Sequence, residues 1–475
     1  MSRKRWRSFA VAWTVASLMF CAVAAAADGD ADTSFGEGGL ALVASADDTV
    51  AIIPADAMTL PDGKLLFSGA RHRLLPENPP FEPEIRAMLV RMNADGSADA
   101  SFGDSSIPGL VVLPDLVPGT RIQTLESMTR LDDGTIVAVG AGVADSPSQG
   151  FVVKLDAEGA LDTSFGNQGV VLLPDYSLHA VAIDSQGRIV ACGEHLLDFH
   201  NTSALLRFDA GGTPDASFGD NGVVSIPWSD AEQAAYLSDV VLTADDGIVA
   251  GGRFAAYGPG VDSDFAIVRL AADGSFDASF GGGTGWRVFH DDADTSTANG
   301  IDRLALLADG GIVFAGYHGV GDGFRGFALG RLSADGASDP SFGDPATPGF
   351  LYVDSVPSAR AIDASALAIQ PDGKPVVSVT YFSATDEQQF FALRATADGQ
   401  LDASFANGGL FEADLAGTDA MYSDVRSMTL QPDGRIVLGG RLVHTIDPPL
   451  TDMVVMRLLN DVAQPDEIFA SGFDE

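Results

Sequence analysis

Short apolar runs of four to six residues alternate with turn-forming residues along most of the chain. In Ser427–Leu430 and Arg435–Leu438, for example, two apolar runs flank an Asp-Gly pair. Runs of this length bounded by turn residues are typical of β-strands rather than helices. Asp-Gly between two such runs is typical of a β-hairpin with a type I′ turn, because both central residues of that turn take positive φ. The pattern therefore predicts an all-β protein.

Two signals recur together along the chain. The hairpin signal places a glycine at Gly63, Gly134, Gly187, Gly247, Gly310, Gly373 and Gly434. A pentapeptide Asp-x-Ser-Phe-Gly, here called the marker, begins at Asp32, Asp99, Asp162, Asp215, Asp277, Asp339 and, with Ala406 in place of Gly, at Asp402. A fixed period of this kind indicates a repeat architecture.

Each repeat contains four apolar runs in about 62 residues. Strand a follows the marker, the hairpin supplies strands b and c, and a run such as Phe265–Leu270 supplies strand d. Seven sets of four antiparallel strands predict a seven-bladed β-propeller over residues 28–460. The ring could close with whole blades, or the strand near Val454 could pair with the one near Leu40.

The repeated residues resemble a known family. The Leu-Asp-x-Ser-Phe-Gly motif, together with Pro-Asp-Gly-Lys/Arg turns at Leu60–Lys64 and Gln431–Arg435, resembles the delta-sixty repeat family of secreted bacterial β-propeller proteins. The resemblance covers roughly residues 30–460. It implies the propeller fold and a secreted, periplasmic or cell-surface location, and it offers no catalytic or ligand-binding residue to transfer.

The two ends of the chain lie outside the repeats. A basic start, the apolar run Phe9–Val23 and the small residues Ala24–Ala27 predict a signal peptide over residues 1–27. The apolar run is short for a membrane span, so we expect no span after cleavage. Residues 461–475 form an acidic C-terminal tail, which could be a sorting tag or a frayed end.

The formal net charge of −39 limits the partners. A negatively charged surface repels nucleic acid and anionic membranes and favours solubility. Separately, we expect the protein to be a monomer. Only Cys192 follows the predicted cleavage site, so the mature chain has no internal disulfide.

Strand direction assigns the loops to two faces. The b–c turns and the markers lie on one face, called the lower face, and the a–b and c–d loops lie on the other, the upper face. Residues repeated in every blade predict a structural role: the Asp caps its own turn and the Phe packs between blades. These residues are Asp32, Phe35, Asp99, Phe102, Asp162, Phe165, Asp215, Phe218, Asp277, Phe280, Asp339, Phe342, Asp402 and Phe405. A cation site at each marker is the alternative.

The upper face differs from blade to blade, as binding loops on a rigid scaffold usually do. Strand b begins there, eight residues before each hairpin glycine. The positions hold Ala55 and Ser365 and five candidate ligand-binding residues, Glu126, His179, Asp239, Asp302 and Arg426. Ordinary strand-start residues would look similar. Convergence of these side chains on one point would favour an enzyme, whereas wide separation would favour a binding protein.

The chain has no nucleophile elbow, zinc-protease helix or phosphate loop. Asp291, Asp292 and Asp294 are candidate calcium ligands, and no other cofactor is implied. The sequence therefore favours a non-catalytic protein that binds an extracellular glycan or protein through its upper face. The alternatives are a secreted hydrolase or dehydrogenase with a site at the channel mouth, and a calcium-stabilised structural protein.

Overall fold

The chain forms strands throughout the part that the computed structural model describes. That part comprises residues 27–43, 50–74, 83–103, 107–143, 148–196, 201–228, 233–256, 263–289, 298–319, 325–353, 359–383, 388–413, 415, 420–446 and 449–460. Within these ranges there are 28 strands, one 3₁₀ turn at Gly281–Gly283 and no α-helix. The prediction of an all-β protein is confirmed.

The strands group into sets of four, here called units. β1 is Leu40–Val43. Unit 1 has β2 (Val50–Thr59), β3 (Leu65–Leu74), β4 (Pro83–Met92) and β5 (Leu110–Val112). Unit 2 has β6 (Ile122–Arg130), β7 (Ile136–Val143), β8 (Gln149–Leu155) and β9 (Val170–Pro174). Unit 3 has β10 (Tyr176–Ile183), β11 (Ile189–Leu196), β12 (Asn201–Phe208) and β13 (Val223–Ser225).

The remaining units continue in chain order. Unit 4 has β14 (Gln233–Leu242), β15 (Ile248–Ala256), β16 (Ser263–Leu270) and β17 (Trp286–Phe289). Unit 5 has β18 (Gly300–Leu306), β19 (Ile312–Gly319), β20 (Arg325–Leu332) and β21 (Phe350–Val353). Unit 6 has β22 (Ala359–Ile369), β23 (Pro375–Ser383), β24 (Gln388–Arg394) and β25 (Leu410–Glu412). Unit 7 has β26 (Tyr422–Leu430), β27 (Ile436–Ile446), β28 (Pro449–Leu458) and the N-terminal β1.

Inside the described ranges the units form six sheets. Five sheets have four antiparallel strands, and units 1 and 2 share an eight-stranded sheet through one parallel bridge between Ile85 and Ile122. In unit 7, β1 pairs with β28, so that Leu42 lies opposite Val454. This pairing answers the question that the sequence left open about these two strands.

The sheet boundaries are offset from the sequence repeat by one strand. Strand a pairs with strand d of the preceding repeat: Val224, which follows the fourth marker, lies opposite Leu205 of β12. The order in the five four-stranded sheets is b-c-d-a, so each of them takes its strand a from the following repeat. The marker in the d–a link holds strand a beside strand d: the Asp215 N–H donates to the Arg207 carbonyl, and the Arg207 N–H donates to the Gly222 carbonyl.

Neighbouring units contact each other through their first strands. Each first strand contacts the first strand of the next unit, and β26 contacts β2. Apolar clusters fill the space between neighbouring sheets, as where Phe265 and Phe289 of unit 4 pack against Phe314 and Phe350 of unit 5. This packing fixes the positions of the first strands relative to one another.

The hairpin turns differ from the predicted type I′. Gly63 has φ of 81°, whereas Asp62 does not take positive φ. The Gly63 N–H donates to the Leu60 carbonyl, and the Leu60 N–H donates to the Lys64 carbonyl. This is a three-residue loop, a type I turn followed by one left-handed residue. Asp62 stabilises it by accepting the Lys64 N–H at 3.2 Å.

Unit 4 carries a variant of this turn. Asp246, with φ of 62°, takes the left-handed position there, and Gly247 does not. The Asp246 N–H donates to Thr243, as the Gly63 N–H does to Leu60. Counting eight residues back from Gly247 therefore selects Asp239, whereas counting from the left-handed Asp246 selects Ser238.

Candidate functional site

The lower face is held together by the markers, and the seventh marker illustrates the geometry. One oxygen of Asp402 accepts the Ser404 N–H at 3.0 Å and the Ser404 hydroxyl at 2.6 Å. The other oxygen accepts Nε–H of Arg394 at 2.9 Å. The guanidinium lies 4.8 Å from the centre of the Phe405 ring. Burial alone would raise the pKa of Asp402, but the hydrogen bonds from Ser404, together with Lys374 and Arg394, lower it to about 2.

All seven markers repeat this arrangement with small changes. Distances from the basic side chain to the marker carboxylate are 2.8 Å for Arg457–Asp32, 2.7 Å for Arg91–Asp99, 3.5 Å for Lys154–Asp162, 2.9 Å for Arg207–Asp215, 3.0 Å for Arg269–Asp277 and 2.7 Å for Arg331–Asp339. In every marker the Ser N–H and hydroxyl donate to the Asp. Because the protein's own donors use both carboxylate oxygens, this geometry favours the structural interpretation over a cation site.

The marker Phe contacts the next unit. A Cβ on Gly96 would lie 2.8 Å from the Phe35 ring, so only glycine fits there. The same contact joins Phe102 to Gly159, Phe165 to Gly212, Phe218 to Gly274, Phe280 to Gly336, Phe342 to Gly399 and Phe405 to Gly29. Side chains of the lower face are therefore used for inter-unit packing.

On the upper face, every first strand contains a β-bulge at the same position. The bulged residues are Ala55, Glu126, His179, Ser238, Asp302, Ser365 and Arg426. The eight-residue count selected six of them and missed Ser238, because Asp246 rather than Gly247 is left-handed in unit 4. Bulges re-aim side chains and are common next to active sites.

Two more positions on the upper face vary in the same way. One lies on strand b, two residues before the bulge, and the other lies opposite it on strand c. Thus Tyr236 lies opposite Arg253, and Ser177 lies opposite Glu194. The strand-c series is Ala70, Ala141, Glu194, Arg253, Tyr317, Thr380 and Arg441. Sequence reasoning missed these residues, although they lie seven residues after the left-handed residue of each hairpin.

A cavity of about 520 Å³ lies between these side chains of units 2 to 6. Its lining includes three of the five candidate residues and several that were missed. The residues are Glu126, His179, Glu194, Tyr236, Ser238, Arg253, Ile301, Asp302, Arg303, Tyr317, Arg325, Asp363 and Ala364. The structure thus brings Glu126, His179 and Asp302 to one cavity.

The other two candidates lie elsewhere. Asp239 is next to the bulge, where its carboxylate accepts the N–H groups of Val240 and Leu304, both at 2.8 Å. Burial raises the pKa of Asp239 to about 6, against the charge of Arg303. Arg426 is outside the cavity and donates to Asp424 at 2.8 Å, which also accepts Arg441 at 2.7 Å. Both residues are therefore engaged in contacts within the protein.

One side of the cavity is basic. Arg253 donates to the Tyr317 hydroxyl at 3.2 Å, and its guanidinium lies 4.5 Å from the centre of the Tyr236 ring. Arg325 lies 4.2 Å from the centre of the Tyr317 ring and 3.8 Å from the Asp363 carboxylate. Stacking on an aromatic face holds a guanidinium in place while leaving its N–H edge available.

The opposite side is acidic. Glu194 is buried and accepts the Asn201 amide at 2.8 Å, with His179 Nε2 at 3.7 Å. Glu126 is exposed and accepts the Thr124 hydroxyl at 2.6 Å. The cavity therefore offers acceptors on one side and strong donors on the other.

Asp302 lies on the basic side. It accepts one protein N–H, from Ala364 at 3.1 Å. Burial and the neighbouring charge of Asp363 raise the pKa of Asp302 to about 7, although Arg303 and Arg325 oppose the rise. Burial also raises the pKa of Asp363. Two neighbouring carboxyl groups with raised pKa values therefore lie on the basic side of the cavity.

Some sequence predictions fall on residues that the structure does not describe. These are the calcium candidates Asp291, Asp292 and Asp294, residues 1–26 of the predicted signal peptide, and residues 461–475. Among the described residues, no three His, Cys, Asp or Glu side chains come together as a metal site. The same residues contain no helix that is long and apolar enough to cross a membrane.

Comparison with known proteins supports a β-propeller family. Residues 131–165, 243–280, 307–342 and 370–405 match the family model described as "Domain of unknown function (DUF5122) beta-propeller". Each segment runs from a hairpin turn to a marker Phe. No curated protein matches the sequence.

Several solved structures resemble the chain at low sequence identity. A protein of unknown function from Dyadobacter fermentans is 12% identical, with a TM-score of 0.44 over 89% of this chain and 98% of that one. Sqt1 from Chaetomium thermophilum is 12% identical, with a TM-score of 0.39 over 92% and 100%. A gluconolactonase from Xanthomonas campestris is 14% identical, with a TM-score of 0.32 over 70% and 85%.

Proposed function

We propose that the chain is an exported β-propeller of the delta-sixty type whose upper-face cavity binds a saccharide without transforming it. The seven units would form one closed ring over residues 28–460, after removal of residues 1–27. Three contacts support closure of the ring: β26 contacts β2, β1 pairs with β28, and Phe405 contacts Gly29. The last contact is equivalent to that of Phe35 with Gly96. The tail at 461–475 would lie outside the ring.

The observation that carries the proposal is the contrast between repeated and individual polar groups. On the lower face the same donors and acceptors satisfy each other in every unit. In the cavity each unit contributes a different side chain, and several keep donors or acceptors available to a ligand. A rigid scaffold with individual groups around one concavity is the usual form of a ligand site.

A saccharide suits the chemistry of this cavity. The lining combines carboxylates, guanidinium groups and the two tyrosines Tyr236 and Tyr317. Hydroxyl groups both donate and accept hydrogen bonds, so a polyhydroxylated ligand could use the acidic and basic sides at once. A volume of about 520 Å³ lies within the usual range for small-molecule sites.

The test is binding of oligosaccharides to the mature protein, measured by calorimetry across a panel of neutral and acidic trisaccharides. We expect at least one to bind, and the substitution Tyr317→Ala to weaken its binding tenfold or more. Thr380→Ala, at the equivalent position of unit 6 and outside the cavity lining, is the matched control and should leave affinity within twofold. Binding that survives Tyr317→Ala, or no binding by any glycan, would refute the proposed site.

A hydrolase is the second candidate, because a carboxyl group with a pKa of about 7 suits a general acid. Asp302 would then protonate the leaving group. The measurement is release of reducing sugar from a panel of oligosaccharides at pH 6, because their alkoxide leaving groups need that proton. Turnover by the wild type that Asp302→Asn abolishes would support hydrolysis, and absence of turnover on the whole panel would leave binding alone.

A further inference from the structure

We infer that the saccharide carries a carboxylate, and that Arg253 binds it. This inference rests on the proposed function and specifies the ligand of the same cavity. It follows from the arginines on the basic side, from the charge around them, and from the contrast with the arginines of the lower face.

Arg253 keeps most of its hydrogen-bonding capacity unused by the described part of the protein. A guanidinium has five N–H donors. In Arg253, one of them reaches the Tyr317 hydroxyl at 3.2 Å, and the ring of Tyr236 covers its face. Among the described residues this guanidinium forms no direct ion pair, although the charges of Asp302 and Asp363 lie near it. By contrast, each marker Asp of the lower face forms an ion pair with its own Arg or Lys.

Within the described ranges, neither of the two neighbouring arginines forms a hydrogen bond to a carboxylate. Arg325 lies 3.8 Å from Asp363, beyond hydrogen-bond distance, and Arg303 donates to the Asp302 backbone carbonyl at 2.8 Å. The charge of Arg303 is shared among the buried Asp56, Asp239 and Asp302, whereas Arg253 and Arg325 face Asp363 and lie at the cavity itself. The donors available to an anionic ligand on this side are therefore those of Arg253 and Arg325.

A carboxylate fits this environment better than the other common anions. Its two oxygens match the N–H fork of a guanidinium, and such pairs are stronger than neutral hydrogen bonds. A phosphate dianion would bring more negative charge close to Asp302, Asp363 and Glu194. The acidic side, with Glu126 and Glu194, remains available for the hydroxyl groups of the same sugar.

The experiment compares each acidic sugar with its own methyl ester, which keeps the skeleton and removes the charge. The probes are trigalacturonate and sialyllactose, each with its ester, titrated into the mature protein by calorimetry. We expect at least one acid to bind tenfold or more tightly than its ester. Arg253→Gln should remove this preference, so that acid and ester bind with equal affinity, and Arg253→Lys should restore part of it.

Arg426→Gln is the control, because Arg426 occupies the bulge position of unit 7 and lies outside the cavity lining. It should leave the acid–ester ratio unchanged. Melting temperatures establish that each variant is folded, and Arg325→Gln provides a second variant of the basic side. Equal affinity for acid and ester overturns the carboxylate inference and leaves saccharide binding intact. Failure of the acids, the esters and neutral trisaccharides to bind overturns both.

Discussion

Asp402 on the lower face and Asp302 on the upper face are the same residue type in opposite situations. Both accept a backbone N–H group, at 3.0 Å and 3.1 Å. Asp402 also accepts a serine hydroxyl and a buried guanidinium, and its pKa falls to about 2. Asp302 has Asp363 as a neighbour and no guanidinium within hydrogen-bond distance, and its pKa rises to about 7.

This difference indicates that the lower-face carboxylates contribute to stability, whereas the upper-face carboxyl groups with raised pKa values belong to the candidate site. The lower carboxylates are stabilised in their charged form by partners that recur in every unit. On the upper face, Asp302, Asp363 and Asp239 are placed where burial disfavours their charged form, which costs stability unless a ligand compensates. Groups with raised pKa values in a cavity are typical of functional sites.

Removal of a lower-face arginine should destabilise the protein strongly. Arg394→Ala would remove the buried guanidinium that pairs with Asp402 and Asp28 and would remove its contact with Phe405. Breaking a buried ion pair is strongly destabilising, and Lys374, 3.1 Å from Asp402, compensates that carboxylate in part, so we expect the free energy of unfolding to fall by about 3 kcal/mol. Urea denaturation at pH 7 measures it.

The matched control for that prediction is Arg253→Ala on the upper face. Its guanidinium has no ion-paired carboxylate among the described residues, so the expected loss is below about 1 kcal/mol. Equal losses at the two positions would contradict the division between the faces.

Stability should depend on pH in two opposite ways. The pKa values of Asp239 and Asp302 are raised from 3.8 to about 6 and about 7, so the folded protein binds more protons than the unfolded chain above pH 4. The free energy of unfolding therefore decreases as pH rises through 7. The lowered pKa of Asp402 acts in the other direction, and its contribution is lost as pH falls below about 4.

His72 modifies this profile. Burial and two arginines lower its pKa from 6.5 to about 4, so its effect increases stability between pH 4 and 6.5. Because the two carboxyl groups with raised pKa values outweigh one histidine, stability already falls with pH above about pH 4. We expect a maximum of the free energy of unfolding at about pH 4 to 5 and a loss of about 2–4 kcal/mol by pH 8, after allowing for screening by water in the cavity. Urea midpoints at half-unit pH steps measure the profile. A maximum at pH 7 or above would argue against it.

Asp302→Asn should isolate the upper-face contribution. The amide keeps the acceptor for the Ala364 N–H and cannot ionise. We expect a gain of about 1–2 kcal/mol at pH 8 and almost none at pH 5, because only the ionised form of Asp302 is disfavoured. Asp433→Asn, at an exposed hairpin turn, is the control and should show no such pH-dependent gain. A gain of the same size at both pH values would mean that ionisation is not the cause.

The smallest expected effect concerns one marker hydroxyl. Ser279→Ala removes the hydrogen bond of 2.6 Å to Asp277 and keeps the backbone N–H bond of 2.8 Å. A single hydrogen bond contributes about 0.5–1.5 kcal/mol, and we expect the lower end at this exposed turn. Thermal unfolding of Ser279→Ala beside Ser275→Ala, in the adjacent turn, measures it. A loss above about 2 kcal/mol would give the hydroxyl a larger role than this.

Most of the fold could be predicted from the sequence because the markers and hairpins repeat. Strand positions, their antiparallel order and the division into two faces all follow from residues such as Asp215 and Gly63, whose spacing is visible without structure. The offset of the sheets was not visible, because pairing of β13 with β12 depends on where the chain crosses between units.

The residues of the cavity could be predicted from the sequence only in part. Glu126, His179 and Asp302 were predicted as candidates, because each lies eight residues before a hairpin glycine. Arg253 and Tyr317 were missed because the register of strands b and c depends on the turn type, which the Asp-Gly pair suggested wrongly. Asp246 in the left-handed position then displaced the count by one residue and selected Asp239 in place of Ser238.

The most direct test of the division between the faces is a titration of the aspartate carboxyl carbons by ¹³C NMR, with Asp302 and Asp402 assigned by substitution to Asn. Two groups of carboxyl groups should appear. The account predicts that Asp302 titrates near pH 7 and that Asp402 stays ionised down to about pH 2. Titration of both between pH 3.5 and 4.5 would contradict it, because the two faces would then hold their carboxylates in the same way.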